Sequence, residues 1–225
     1  MAEVEEEKTS APEDVKGEGI DIRFNLPCQI EVLEGSWAEQ GTMSNETPDK
    51  FLIGSEIKPV KLTSIREGNF NNGTGKEKDY FLIIQGCTPV IVLQEVISHN
   101  YGCEYMKNGG EANWRAEELE RVEEIEQGEE PSCFKAEKGS WDEYSDEDLK
   151  QVKIRAEKVQ KVGEIMEGDF ENGEGQEYHF WIIIQNGKAY LALQEFVIHS
   201  YGCEYAKNGG EADFRIYKLP VLPEA

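Results

Sequence analysis

Residues 65–115 read IREGNFNNGTGKEKDYFLIIQGCTPVIVLQEVISHNYGCEYMKNGGEANWR, and residues 165–215 read IMEGDFENGEGQEYHFWIIIQNGKAYLALQEFVIHSYGCEYAKNGGEADFR. The two stretches align without a gap, one hundred residues apart. Roughly half of their positions are identical, far above chance, which reads as an internal duplication of one folding unit. A weaker match extends upstream. Residues 28–37 (CQIEVLEGSW) and 133–141 (CFKAEKGSW) share a cysteine, an extended stretch and Gly-Ser-Trp. The expected organisation is an acidic disordered tail over residues 1–20, a first β-module over 21–115, an acidic linker over 116–131 and a second β-module over 132–225.

Within each copy the apolar residues follow strand periods. Residues 57–66 and 152–167 alternate in part and are rich in Val, Ile, Lys and Thr, as a strand requires. A polar glycine-rich loop follows. Residues 80–85 and 180–185 are then short unbroken apolar runs, the mark of a strand buried on both faces. Asn186-Gly187 between WIIIQ and KAYLAL predicts a two-residue hairpin, because both central residues of a type I′ turn need positive φ. Residues 93–101 and 193–201 read as returning strands, with a helix closed by Gly102 or Gly202 as the alternative. Further on, Asn208-Gly209-Gly210 turns a second hairpin. The fold class expected is mainly β: two tandem copies of a small β-barrel or β-sandwich. Between them, Leu119, Val122 and Ile125 recur every three residues after a potential cap at Asn113. That pattern predicts a short acidic helical linker.

The formal net charge is −23, but it is unevenly placed. Residues 51–115 hold as many acids as bases and residues 149–215 are only mildly acidic, so most of the excess lies in the tail, the stretch before residue 51 and residues 117–148. Such a chain repels nucleic acid and anionic membrane and attracts basic partners. No apolar run is long enough to span a bilayer, and the acidic start is unlike a secretory signal, so the chain is expected to be soluble and intracellular. Five cysteines, an odd number without dense spacing, point to reduced thiols.

The longest shared polar block is HxYGCEYxKNGGEA, residues 99–112 and 199–212. Solvent-facing positions drift after duplication unless a partner restrains them. The block therefore nominates His99, Glu104, Lys107, Asn108, Glu111, His199, Glu204, Lys207, Asn208 and Glu211 as a binding edge for a protein partner. The competing reading has its tyrosines and cysteine packed inward, with the glycines making a turn. His99 and Cys103 are poor catalysts on a strand, where residues four apart lie about 13 Å from each other. One His and one Cys per copy also lack the spacing that fills a zinc tetrahedron. Asp169, Glu171, Asn172, Glu174 and Glu177 are oxygen-rich, but the matching Asn69, Asn71, Asn72, Thr74 and Glu77 have lost most of the charge, so a polar turn is preferred to a calcium cage. Phosphate-binding and nucleophile-elbow motifs do not occur. Trp37 and Trp141 suit core packing better than a sugar platform.

These readings favour a non-enzymatic interaction or assembly protein with two similar binding surfaces and no cofactor or metal, such as an accessory subunit of a larger particle, including a viral one. Two other classes remain open. An acidic DNA mimic would block a nucleic-acid-binding enzyme, though its carboxylates should cover the folded faces. A tandem carbohydrate-binding module would use the Tyr, Trp, Asn and Glu near the hairpins.

Overall fold

The computed structural model describes residues 16–17, 20–39, 47–102, 108–142, 149–203 and 208–224. Its strands in chain order are β1 (Lys16–Gly17), β2 (Ile20–Asp21), β3 (Cys28–Glu39), β4 (Asp49–Ser55), β5 (Val60–Gly68), β6 (Gly73–Gln85), β7 (Thr88–Asn100), β8 (Asn108–Glu118), β9 (Arg121–Val122), β10 (Cys133–Asp142), β11 (Lys150–Arg155), β12 (Lys158–Gly168), β13 (Gly173–Gln185), β14 (Lys188–Ser200) and β15 (Gly209–Lys218). The protein is mainly β, and no helix occurs among the described residues. None is therefore long and apolar enough to cross a membrane.

β1 and β2 pair only with each other, and the remaining strands form two antiparallel sheets of the same order. The first runs β4-β3-β8-β7-β6-β5 and the second β11-β10-β15-β14-β13-β12, with β9 beside β15. Registers agree as well: Tyr80 lies opposite Leu93 and Leu93 opposite Arg115, while Phe180 lies opposite Leu193 and Leu193 opposite Arg215. Neither sheet closes into a barrel. Instead β3 changes partner in mid-strand, pairing with β4 up to Glu34 and with β8 from Gly35 onward. Gly35 takes φ 110° at the change, and Gly139 takes φ 128° at the same place in β10. A β-carbon disfavours that region, which is why glycine stands there.

The change of partner folds the β3–β4 hairpin over one face of its own sheet. Val32 and Ile53 then bury against Ile83, Val90 and Val92, with Ile22 from the chain before β3. In the second sheet Phe134, Ala136 and Ile154 cover Ile183, Ala192 and Ile216. Each half thus owns a small core. A third core joins the halves: Ile57, Leu62, Leu82, Ile84 and Ile91 of the first pack against Phe180, Ile182, Leu191, Leu193 and Leu219 of the second. The apolar runs of β6 and β13 are unbroken because both faces of each strand are covered, one by its own hairpin and one by the other sheet.

Several expectations give way to this arrangement. Over residues 93–101 and 193–201 the chain is strand, not helix: β7 runs to Asn100 and β14 to Ser200. The turn at Asn186-Gly187 is as expected, at φ 50° and 68°, and Gly86-Cys87, which was not anticipated, turns at the matching place with φ 59° and 58°. Asn208-Gly209-Gly210 does not make the expected second turn, because Gly209 and Gly210 already stand in β15 opposite His199 and Ile198. Residues 152–167 are two strands, β11 and β12, and β4 was not anticipated. The helical linker is absent over 116–131: β8 runs on to Glu118, β9 pairs with Ile216 and Tyr217, and Gln127 bridges Ile154. Its three-residue period has another cause. Leu119 packs into the core between the sheets, while Val122 and Ile125 pack into the core of the second half. The segment serves the second sheet as residues 20–27 serve the first. Glu126 O accepts Arg155 N–H at 3.0 Å, as Arg23 O accepts Gly54 N–H at 3.0 Å. The proposed disordered tail lies for the most part outside the described residues, apart from β1 and the start of β2.

Candidate binding surface

Antiparallel register fixes which side chains share a face. In the first sheet Thr74, His99 and Gly109 form one cross-strand row, and Lys76, Ile97, Glu111 and Ser36 form the next row on the same face. Further along this face come Lys78 with Glu95, then Tyr80 with Leu93, then Leu82 with Ile91 at the core between the sheets. One sheet face is therefore apolar at the hairpin end and polar at the other, about 26 Å away at 3.3 Å per residue from Ile91 to His99.

At the polar end His99 and Tyr101 hold parallel rings, with centroids 6.3 Å apart and planes within 4°. His199 and Tyr201 repeat this at 6.4 Å and 5°. An asparagine supports each pair from the facing strand: Asn108 Oδ1 accepts Tyr101 N–H and Asn208 Oδ1 accepts Tyr201 N–H, both at 2.7 Å. Glu111 and Glu211 are exposed one row away. The structure thus places His99, Asn108 and Glu111 at one sheet end and His199, Asn208 and Glu211 at the same end of the other. Glu104, Lys107, Glu204 and Lys207 lie outside the described residues, as does Cys103.

The two ends differ in one neighbour. Thr74 Oγ1 lies 3.0 Å from His99 Nδ1 and 3.3 Å from Tyr101 Oη. In the second half Glu174 takes that place, with Oε2 3.5 Å from His199 Nδ1. A carboxylate beside the imidazole makes the second surface more negative. One row inward, the first sheet carries a cationic pair instead: Lys76 and Lys78 flank Glu95 at 3.0 and 3.4 Å. Partial burial works against the Glu95 charge, yet the two ammonium groups hold its carboxyl below its ordinary range.

The opposite face of the same end is packed. Trp37 lies across Gly110 and Trp141 across Gly210, close enough that a Cβ on either glycine would run into the indole. Phe70 and Phe170 cover Gly75 and Gly175 in the same way. Both tryptophans are half-buried. The neighbouring loops are polar turns of one kind: Asn69 Oδ1 accepts the N–H groups of Asn71 and Asn72, and Asp169 Oδ1 those of Glu171 and Asn172. Those two N–H groups hold the Asp169 carboxyl below its usual value.

Sequence reasoning passed over four buried glutamines. Gln94 Oε1 accepts Leu33 N–H at 2.5 Å, while its amide donates to Leu33 O and Asn113 O at 3.0 and 2.9 Å. Gln194 does the same with Glu137 and Asp213. Gln85 and Gln185 clasp the covering segments at Arg23 and Glu126. Their identity between the copies was the available signal. Another feature is confined to the second half: the His179 ring lies 5.5 Å from Trp181, with Nε2 3.1 Å from Glu177 and Nδ1 3.5 Å from Glu164. Asp79 stands at this place in the first sheet, bound to Lys61 and Ser64. Among the described residues, no group of three or more His, Cys, Asp or Glu side chains is arranged to hold a metal ion.

Between the sheets, burial pushes the Cys87 thiol up to about 11, with Glu56 and Glu167 adding repulsion. Burial likewise raises Tyr178 to about 12, with Cys87 next to it. Compared with protein-family models, curated proteins and solved structures, the chain matches none.

Proposed function

We propose that this chain is a non-enzymatic interaction and assembly protein, built by duplication of one β unit, whose two halves offer similar surfaces to a protein partner. The observation that carries the reading is the matched His–Tyr ring pair with its asparagine support, the same within 0.1 Å and 1° between centroids and planes in the two halves. Parallel, half-exposed rings on a rigid sheet lose little entropy when a partner covers them, and aromatic residues of this kind anchor interfaces. A basic partner suits the exposed Glu111 and Glu211 and the overall charge of −23. Two such sites on one rigid body would serve an accessory subunit inside the cell that tethers components of a larger assembly.

Bivalence makes the test quantitative. Once a partner has been captured and cross-linked to the wild-type chain, H99A/Y101A and H199A/Y201A should each weaken its binding by about 100-fold through lost avidity. The combined variant should abolish binding. Wild-type affinity in the combined variant would remove the proposed surface.

A further inference from the structure

The outer edge of β5 is already occupied within the chain. Glu224 donates its N–H to Leu62 O at 2.5 Å, and its Oε1 accepts Ser64 N–H at 2.7 Å. The corresponding edge of the second sheet is β12, which pairs with β13 on one side and, among the described residues, with no strand on the other. Open edges are templates for pairing, and proteins guard them with lysines and bulges. β12 has both, but in an order that favours one partner.

Val159 and Met166 are 44% and 58% exposed, among the most open large apolar side chains of the protein. Val159 lies opposite Ile183 and Lys161 opposite Trp181. The register then shifts by one residue at Val162, so that Glu164 lies opposite His179 and Met166 opposite Glu177. Ile183, Trp181, His179 and Glu177 alternate regularly on β13 and share a face, so Val159, Lys161, Glu164 and Met166 share it too. Lys158 and Glu167, opposite Ile184 and Gln176, lie on the other face.

We propose that β12 is a homodimerisation edge, pairing antiparallel with β12 of a second copy about a two-fold axis between Val162 and Gly163. That register sets Val159 against Met166, Lys161 against Glu164, and Lys158 against Glu167, each pair on one face of the joined sheet. In an unbroken strand these pairs would fall on opposite faces. The extra residue at Val162 brings them together. Cross-strand apolar and opposite-charge pairs stabilise such a junction, and a two-fold contact is self-complementary by construction. The charges that reject an ordinary apolar strand thus accept this strand in one register. β5 shows what happens without the pattern: Pro59, Ser64 and Arg66 stand where β12 has Val159, Glu164 and Met166, so neither the apolar pair nor the inner charge pair exists, and the edge is covered from within.

The full chain tests this by sedimentation velocity across a concentration series at physiological ionic strength, where repulsion between copies of net charge −23 is screened beyond about 8 Å. The wild type should shift from 25.5 kDa to twice that mass. K158E/K161E sets like charges against each other and should remain at the single-chain mass, as should E164K/E167K. An equal mixture of the two variants restores every charge pair and should regain the doubled mass. A wild type that stays single at all concentrations, a variant that dimerises alone as the wild type does, or a mixture that fails to associate would overturn the proposal. Amide exchange of the wild type gives a readout free of mutation: exchange in β12 should slow as concentration rises while exchange in β5 does not. Concentration-independent exchange in β12 would also overturn it.

Discussion

At the scale of single residues, Gln94 and Gln194 turn a sheet and a hairpin into one body. Each amide satisfies backbone groups on two strands that do not otherwise pair at that point, and each lies almost fully buried. Leucine at either position would leave those groups without partners, a loss of about 1–3 kcal/mol, read as a lower urea midpoint with unchanged slope. Gly110 and Gly102 make a sharper comparison. A methyl group at Gly110 collides with the Trp37 ring, so G110A should cost about 1–3 kcal/mol, whereas G102A, with nothing within 4 Å, should leave the midpoint where it is. The Cys87 thiol supplies a pH dependence. Its folded value of about 11 exceeds the ordinary 9.0, so the folded state favours the neutral thiol. Its contribution is complete below pH 9 and fades as pH rises toward 11, and C87S should flatten that part of the stability profile. The identity of the glutamines between copies was legible in the sequence. Their role was not, because the partners Leu33 and Glu137 lie about sixty residues away and share no residue type.

At the scale of elements, the segment after β8 shows why periodicity misleads. Leu119, Val122 and Ile125 recur as on a helix, yet the chain is extended and dips into two different cores in turn. A helix would have satisfied its backbone internally, whereas this segment finds its partners on the second sheet: Gly128 N–H to Lys153 O at 3.0 Å and Lys218 N–H to Glu120 O at 2.9 Å. Hydrogen exchange should therefore find the Gly128, Arg155 and Lys218 amides slow, with the protection of sheet amides. Exchange at loop rates for all three would contradict the account. The hairpin at Asn186-Gly187 was readable because its turn chemistry is local, whereas the matching Gly86-Cys87 turn lacks the Asn-Gly signature. β4 was not readable either, since its burial depends on Gly54 lying against Leu26 and on a neighbour, β3, that bends at Gly35. Of the candidate surface, the sequence marked the His, Asn and Glu positions through their repetition. The ring pairs of His99 with Tyr101 and His199 with Tyr201 follow once the chain is extended there, since residues two apart share a face. The sequence could not show that Thr74 and Glu174 distinguish the two ends, because those contacts cross from one strand to the next.

At the scale of the whole molecule, two halves with one strand order share an interior. Leu82, Ile84 and Ile91 have their neighbours in the other sheet, so neither half buries its apolar surface alone, and the two ring pairs are held on a single rigid body. That rigidity underlies the bivalent reading, since sites on independently moving modules would meet a partner at no fixed spacing. The most direct measurement is residue-resolved hydrogen exchange of the full chain carrying Leu82→Ala, a fully buried site between the sheets. The substitution should cost about 2–5 kcal/mol. If the interior is common, the slowest amides of β13 and β14 should lose protection by the same factor as those of β6 and β7, about 30-fold or more. Loss confined to β6 and β7, with β13 and β14 unchanged, would show two separately stable halves and contradict the account.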